Sequence, residues 1–130
     1  ALPLLKDFAG DVLVLLGDTP LVSVGTLKNF LKQHVGLSVL GVHLSEPCGY
    51  GRIVRGHHGV QIIEEKDASA QEREICEVNT GVFCIDGKRI KGWIEKVDNK
   101  NAQGEYYITD LPKIAQREGT STHVFITRNC

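Results

Sequence analysis

The stretch Val12-Leu13-Val14-Leu15-Leu16 constrains the fold more than any other part of this chain. It is continuously apolar, with Gly10-Asp11 before it and Gly17-Asp18 after it. Such a run suits a strand covered on both faces, as in a parallel sheet with helices on each side. Residues 37–44 form a second run of this kind, rich in Val and Leu. Between the two, Ser23 or Thr26 can cap a helix whose apolar face is Leu27, Phe30 and Leu31. Strand, helix and strand in this order predict a right-handed βαβ unit.

The remaining pattern is shorter. Residues 52–55 and 60–64 are extended pieces around Gly56-His57-His58-Gly59, which reads as a β-hairpin turn. Residues 70–76 predict a short helix and residues 82–85 a strand. Ile90, Trp93, Ile94 and Val97 recur at helical spacing. Residues 98–104 read as polar loop, 108–118 as a helix stopped by Gly119, and 124–126 as a last strand. Residues 1–8 predict the end of a helix with Gly10 near its C-cap. Alternating β and α elements predict an α/β fold with a mainly parallel sheet. In such sheets ligands bind beyond the carboxyl ends of strands. That directs the search to Gly17-Asp18 and to the loops after residues 44 and 63.

Composition narrows the class. With 130 residues, 42% hydrophobic and 24% charged, one soluble globular domain is expected. A net charge of -1 leaves no basic stripe, which argues against nucleic acid or an anionic membrane as partner. No apolar run approaches the ~18 residues of a bilayer span. Ala1-Leu2-Pro3-Leu4-Leu5 meets Lys6 and Asp7 too soon for a signal peptide. Cys48, Cys76, Cys84 and Cys130 form no Cys-x-x-Cys pair, which argues against a zinc ribbon and for reduced thiols in a cytoplasmic protein. His57-His58 reads as an exposed hairpin tip rather than a metal pair. The absence of methionine fits a fragment, as it fits loss of an initiator.

Asp18 directly follows the first buried strand, with Gly17 allowing close approach and Pro20 stiffening the turn. Its carboxylate suits magnesium, which takes one or two protein carboxylates and completes its shell with water and phosphate oxygens. It equally suits a turn or a helix cap. Gly49-Tyr50-Gly51-Arg52 offers backbone amides to a sugar or phosphate, or is simply a turn. Glu64, in the charge run Glu64-Glu65-Lys66-Asp67, can accept hydrogen bonds from sugar hydroxyls or sit on a solvated edge. Asn79, between a charged segment and a strand, can both donate to and accept from a sugar, or stabilise a turn.

Singly these signals are weak, but their order is specific. Gly17-Asp18-Thr19-Pro20-Leu21, Gly49-Tyr50-Gly51-Arg52-Ile53-Val54, Glu64-Glu65-Lys66-Asp67-Ala68, Glu77-Val78-Asn79-Thr80-Gly81 and Asn101-Ala102-Gln103-Gly104-Glu105-Tyr106-Tyr107-Ile108-Thr109-Asp110 follow one another along the chain. Together they resemble the bacterial UDP-N-acetylglucosamine pyrophosphorylase family, over nearly the whole length. Those enzymes usually carry a glucosamine-1-phosphate N-acetyltransferase domain behind.

The resemblance implies a partial Rossmann-like nucleotidyltransferase fold with a mainly parallel mixed sheet and flanking helices. It implies that Asp18 binds magnesium, and that Leu16, Gly17 and Asp18 line the nucleotide-sugar site. Gly51 with Tyr50 beside it would meet the sugar nucleotide, and Glu64 and Asn79 would hold the N-acetylglucosamine moiety. The implied partners are UTP, N-acetylglucosamine 1-phosphate and UDP-N-acetylglucosamine, in a homo-oligomeric parent that serves cell-wall synthesis. Thr19 stands where the family has valine, and Cys48 where it has threonine. The family's glycine-rich nucleotide-binding loop, its asparagine magnesium ligand and its acetyltransferase domain do not occur in this sequence. Residues 1–130 are therefore expected to be an internal fragment of the uridylyltransferase domain, inactive alone. Two other readings fit the same residues: another sugar-1-phosphate nucleotidyltransferase, such as a glucose-1-phosphate thymidylyltransferase, or a non-catalytic nucleotide-sugar-binding module.

Overall fold

A computed structural model describes residues 10–16, 22–57, 59–97 and 107–127. The expectations for a helix at residues 1–8, for Gly17-Asp18, and for the loop at 98–104 lie outside the described residues. Six strands form one sheet: β1 (Asp11–Leu15), β2 (Leu37–His43), β3 (Arg52–Gly56), β4 (Gly59–Ile63), β5 (Glu77–Asp86) and β6 (Thr122–Thr127). Four helices accompany them: α1 (Val24–Lys32), α2 (Ala70–Arg73), α3 (Ile90–Glu95) and α4 (Leu111–Arg117).

The α/β class is as expected, and the sheet is mixed with helices on both faces. β1, β2, β3 and β6 run one way, and β4 and β5 run the other. The expectation of a mainly parallel sheet needs correcting at the level of neighbours, because the reversed strand β5 occupies the centre. It pairs antiparallel with β2 along one edge and with β1 and β3 along the other. Only β2 and β6 form a parallel pair among the described residues. β1 and β2 do run parallel around α1, as the βαβ reading requires, but β5 lies between them.

Local chemistry explains the helices. Ser23 has extended backbone (φ -69°, ψ 154°), and its hydroxyl accepts from the Thr26 amide, which caps α1. Phe30 of α1 is fully buried and Leu27 packs beside it. Leu31, expected on the same face, is 40% exposed, since one helical step turns it away from the sheet. Ser69 and Glu72 form a reciprocal capping box on α2. Pro112 sits in the first turn of α4, and Gly119 (φ 85°) follows its end.

Two apolar layers cover the sheet. On one face Leu37, Val39, Phe83 and Ile85 pack against Ile90, Trp93, Leu111 and Ile114. On the other, Leu40, Val82 and Cys84 pack against Phe30, whose ring lies 6.4 Å from that of Phe125. The hairpin is as expected: β3 and β4 pair antiparallel as far as Gly56 opposite Gly59.

Candidate functional site

Three of the expected site residues, Gly51, Glu64 and Asn79, meet where β3, β4 and β5 begin or end. Arg52 pairs with Ile63 on one side and Val78 on the other. Gly51, just before it, therefore lies between Glu64 and Asn79. The Asn79 amide donates to the Gly51 carbonyl at 2.9 Å. A Cβ built on Gly51 would stand 3.2 Å from Ile62 Cγ2 and 3.3 Å from Glu64 Oε2. The missing side chain thus leaves room for the Glu64 carboxylate.

Asn79 is not in a turn. It lies within β5 and is 8% exposed. The register passes from Leu40 opposite Val82 to Gly41 opposite Asn79, so Thr80 and Gly81 bulge from the pairing. Gly81 takes φ 86° there. The Asn79 Oδ1 accepts from the Gly81 amide at 2.9 Å, and the Thr80 hydroxyl donates to the Leu40 carbonyl at 2.7 Å. The Leu16 amide donates to the Gly81 carbonyl at 3.0 Å, which ties the end of β1 to the same bulge. Cross-strand partners share a face, so Asn79 takes the face of Gly41. A Cβ on Gly41 would meet Ile53 Cδ1, and Ile53 pairs with Ile62, two residues before Glu64. Glu64 and Asn79 consequently occupy one face of the sheet.

Glu64 borders a cleft of about 410 Å³ whose lining also includes Ile62, Asp67, Tyr107, Thr109 and Lys113, but not Asn79. The Thr109 hydroxyl donates to Glu64 Oε1 at 2.9 Å and orients the carboxylate. The loop at Gly49-Tyr50-Gly51 is held from below by charge. Glu65 Oε2 accepts from the Gly49 amide at 2.6 Å, and Glu65 Oε1 lies 3.3 Å from Arg52 Nη2. Arg52, 2% exposed, also donates to the carbonyls of Tyr50 and Arg73. Desolvation alone pushes the Glu65 carboxyl up. The Gly49 amide, Arg52 and the Cys48 thiol together outweigh it and hold the group below its ordinary value.

No protein-family model matches the chain. It is 42% identical over 128 residues to bifunctional protein GlmU of Enterococcus faecalis, which covers 94% of the chain and 28% of that protein. It is 51% identical over 114 residues to GlmU of Dechloromonas aromatica, covering 85% of the chain and 25% of the relative. Most of the chain aligns with one part of each of these GlmU proteins. GlmU of Pseudoalteromonas atlantica agrees, at 45% identity over 84% of the chain. The chain thus spans about a quarter of the length of the GlmU relatives it matches. A solved structure of a putative glucose-1-phosphate thymidylyltransferase from Bacillus anthracis, in complex with a sucrose, shares the fold. Its TM-score is 0.64 at 22% identity, over 97% of this chain and 50% of that one.

Within this GlmU-like stretch, the fold brings Gly51, Glu64 and Asn79 together and places Leu16 beside Gly81. Tyr50 is half-buried, with its carbonyl engaged by Arg52. Gly17 and Asp18 lie outside the described residues. The sequence reading assigned no role to Thr109, Glu65 or Arg52. The only prior signal for Glu65 was its place in the charge run, which read as a solvated edge. Its partners Gly49 and Arg52 are distant enough in sequence that only the fold reveals them.

Proposed function

We propose that this chain is part of a uridylyltransferase that forms UDP-N-acetylglucosamine and pyrophosphate from UTP and N-acetylglucosamine 1-phosphate. The convergence of Gly51, Glu64 and Asn79 on one sheet face is the observation that carries this reading. It supplies a carboxylate acceptor, amide donors and a side-chain-free approach, which is what a sugar with several hydroxyls and an acetamido group requires. The 42–51% identity to GlmU over most of the chain supports it. In this reading the sugar phosphate attacks the α-phosphorus of UTP. The chain's own residues bind and orient the sugar so that attack is in line. Asp18, assigned on sequence alone, would hold magnesium, which would supply charge neutralisation at the phosphates. Tyr50 sits beside the sugar nucleotide, and Leu16 and Gly17 border it. The setting is a cytoplasmic enzyme of cell-wall precursor synthesis.

The experiment measures pyrophosphate release by the longest form of the protein that carries this stretch. UTP with N-acetylglucosamine 1-phosphate should be turned over in preference to dTTP with glucose 1-phosphate. Glu64→Gln removes a charged acceptor, and a charged hydrogen bond is worth about 1.5–3 kcal/mol. The KM for the sugar phosphate should rise by about ten- to a hundredfold while that for UTP is unchanged. Equal effects on both substrates, or preference for the thymidine pair, would refute the assignment.

A further inference from the structure

We propose that Asp11, His34 and Cys84 form a binding site for a borderline-soft divalent transition metal ion such as zinc, separate from the sugar-facing residues. Asp11 opens β1, His34 follows the end of α1, and Cys84 lies in β5. The β1–β5 register sets Leu13 opposite Cys84, so Asp11, two residues earlier, is a diagonal neighbour on the same face. That is the face α1 covers, and His34 reaches it from the helix end. One ligand atom from each of the three residues lies within 4.8 Å of the others.

The histidine supplies the second observation. Its side chain is 3% exposed. Its Nδ1 lies 2.7 Å from the buried Ser38 hydroxyl, which also accepts from the Val35 amide at 3.4 Å. With the proton on Nδ1 donated to Ser38, the Nε2 lone pair is presented to the cluster. That is how a second residue fixes the tautomer of a metal-bound imidazole. Nε2 has no hydrogen-bond partner among the described residues, and it stands 3.3 Å from Asp11 Oδ1. Two ligand atoms bound at about 2.0–2.1 Å on a tetrahedral ion stand about 3.3 Å apart. The His34–Asp11 pair already has that spacing.

Charge and softness choose the ion. A carboxylate, a thiolate and a neutral imidazole neutralise a dication, so this partly buried cluster carries no net charge when filled. On binding, the Cys84 S–H bond breaks, its proton goes to solvent, and a sulfur–metal bond forms. A thiolate suits zinc or cobalt and not magnesium, which takes oxygen ligands. Asp11, 61% exposed in its side chain, leaves a route in and a fourth position for water. The filled site ties β1, α1 and β5 together. Nothing in the spacing of residues 11, 34 and 84 signals it in sequence.

The test is titration of cobalt(II) into the purified, reduced chain, with thermal unfolding followed in parallel. A sulfur-to-cobalt charge-transfer band should saturate at one equivalent, zinc should abolish it by displacement, and zinc should raise the unfolding midpoint. The band should vanish in Cys84→Ser. Affinity should fall at least about tenfold in Ser38→Ala, a positioning change, and in Asp11→Asn. Asp11 is exposed, so that variant tests the site without disturbing the core. A cooperatively unfolding chain without the band, a band that survives Cys84→Ser, or undiminished affinity in Asp11→Asn would overturn the site.

Discussion

At Glu65 one carboxylate holds two parts of the glycine loop, the Gly49 amide and the Arg52 guanidinium. Its folded pKa is lowered, so its stabilisation is complete above the unfolded value and disappears as pH falls through the folded one. The unfolded midpoint of Glu is about 4.3. Thermal midpoints measured from neutral pH downward should therefore fall more steeply in the wild type than in Glu65→Gln once pH passes below that value. Parallel curves would show that the contact contributes nothing. Gly51 makes a second residue-scale prediction. Alanine there meets Ile62 and the Glu64 carboxylate, and overpacking of this kind costs about 1–3 kcal/mol. Calorimetric affinity for UDP-N-acetylglucosamine should drop by more than the folding loss explains, because Glu64 is displaced. Single residues were the least legible scale. Glu64 and Asn79 could be nominated, but Glu65 looks like its charged neighbours until the fold puts Gly49 over it.

The elements were easier to read where covalent sequence carries the pattern. The apolar runs gave β1 and β2, the paired glycines gave the hairpin, and Ile90 and Trp93 gave the buried face of α3. β5 escaped in part. Only its apolar second half was expected, because Asn79, Thr80 and Gly81 look like a turn. They are strand because Gly51 and Leu40 accept their hydrogen bonds from neighbouring chain segments, and a local reading has no access to those partners. The bulge makes a prediction at this scale. Asn79→Ala leaves the buried Gly81 amide without its acceptor and should cost about 1–3 kcal/mol in urea unfolding. Asn79→Asp keeps an acceptor while losing the amide donors. It should retain more stability than alanine yet raise the sugar-phosphate KM in the longer protein. If the two variants lose stability and affinity in proportion, Asn79 is structural alone.

For the molecule as a whole, the 130 residues carry no glycine-rich loop whose basic side chain is free to cradle a triphosphate, since Arg52 beside Gly49 and Gly51 is buried against Glu65 and the Tyr50 and Arg73 carbonyls. The purified stretch should release no pyrophosphate from UTP and N-acetylglucosamine 1-phosphate with magnesium. Turnover within about tenfold of the longer protein, less than 1.4 kcal/mol in barrier, would show that the loop is dispensable. The class of fold was legible because alternation of strand and helix survives in the linear order. The neighbour order was not, because β5 enters between strands made much earlier. That late entry has a kinetic consequence. β1 and β2 are synthesised before β5, yet their pairing with it waits until residues 77–86 arrive. Loop closure over such separations is slow, so a growing chain carries two unmated apolar ribbons through much of its emergence. Vulnerability to aggregation should peak just before β5 leaves the ribosome, fall when it docks, and end when β6 covers the other edge of β2.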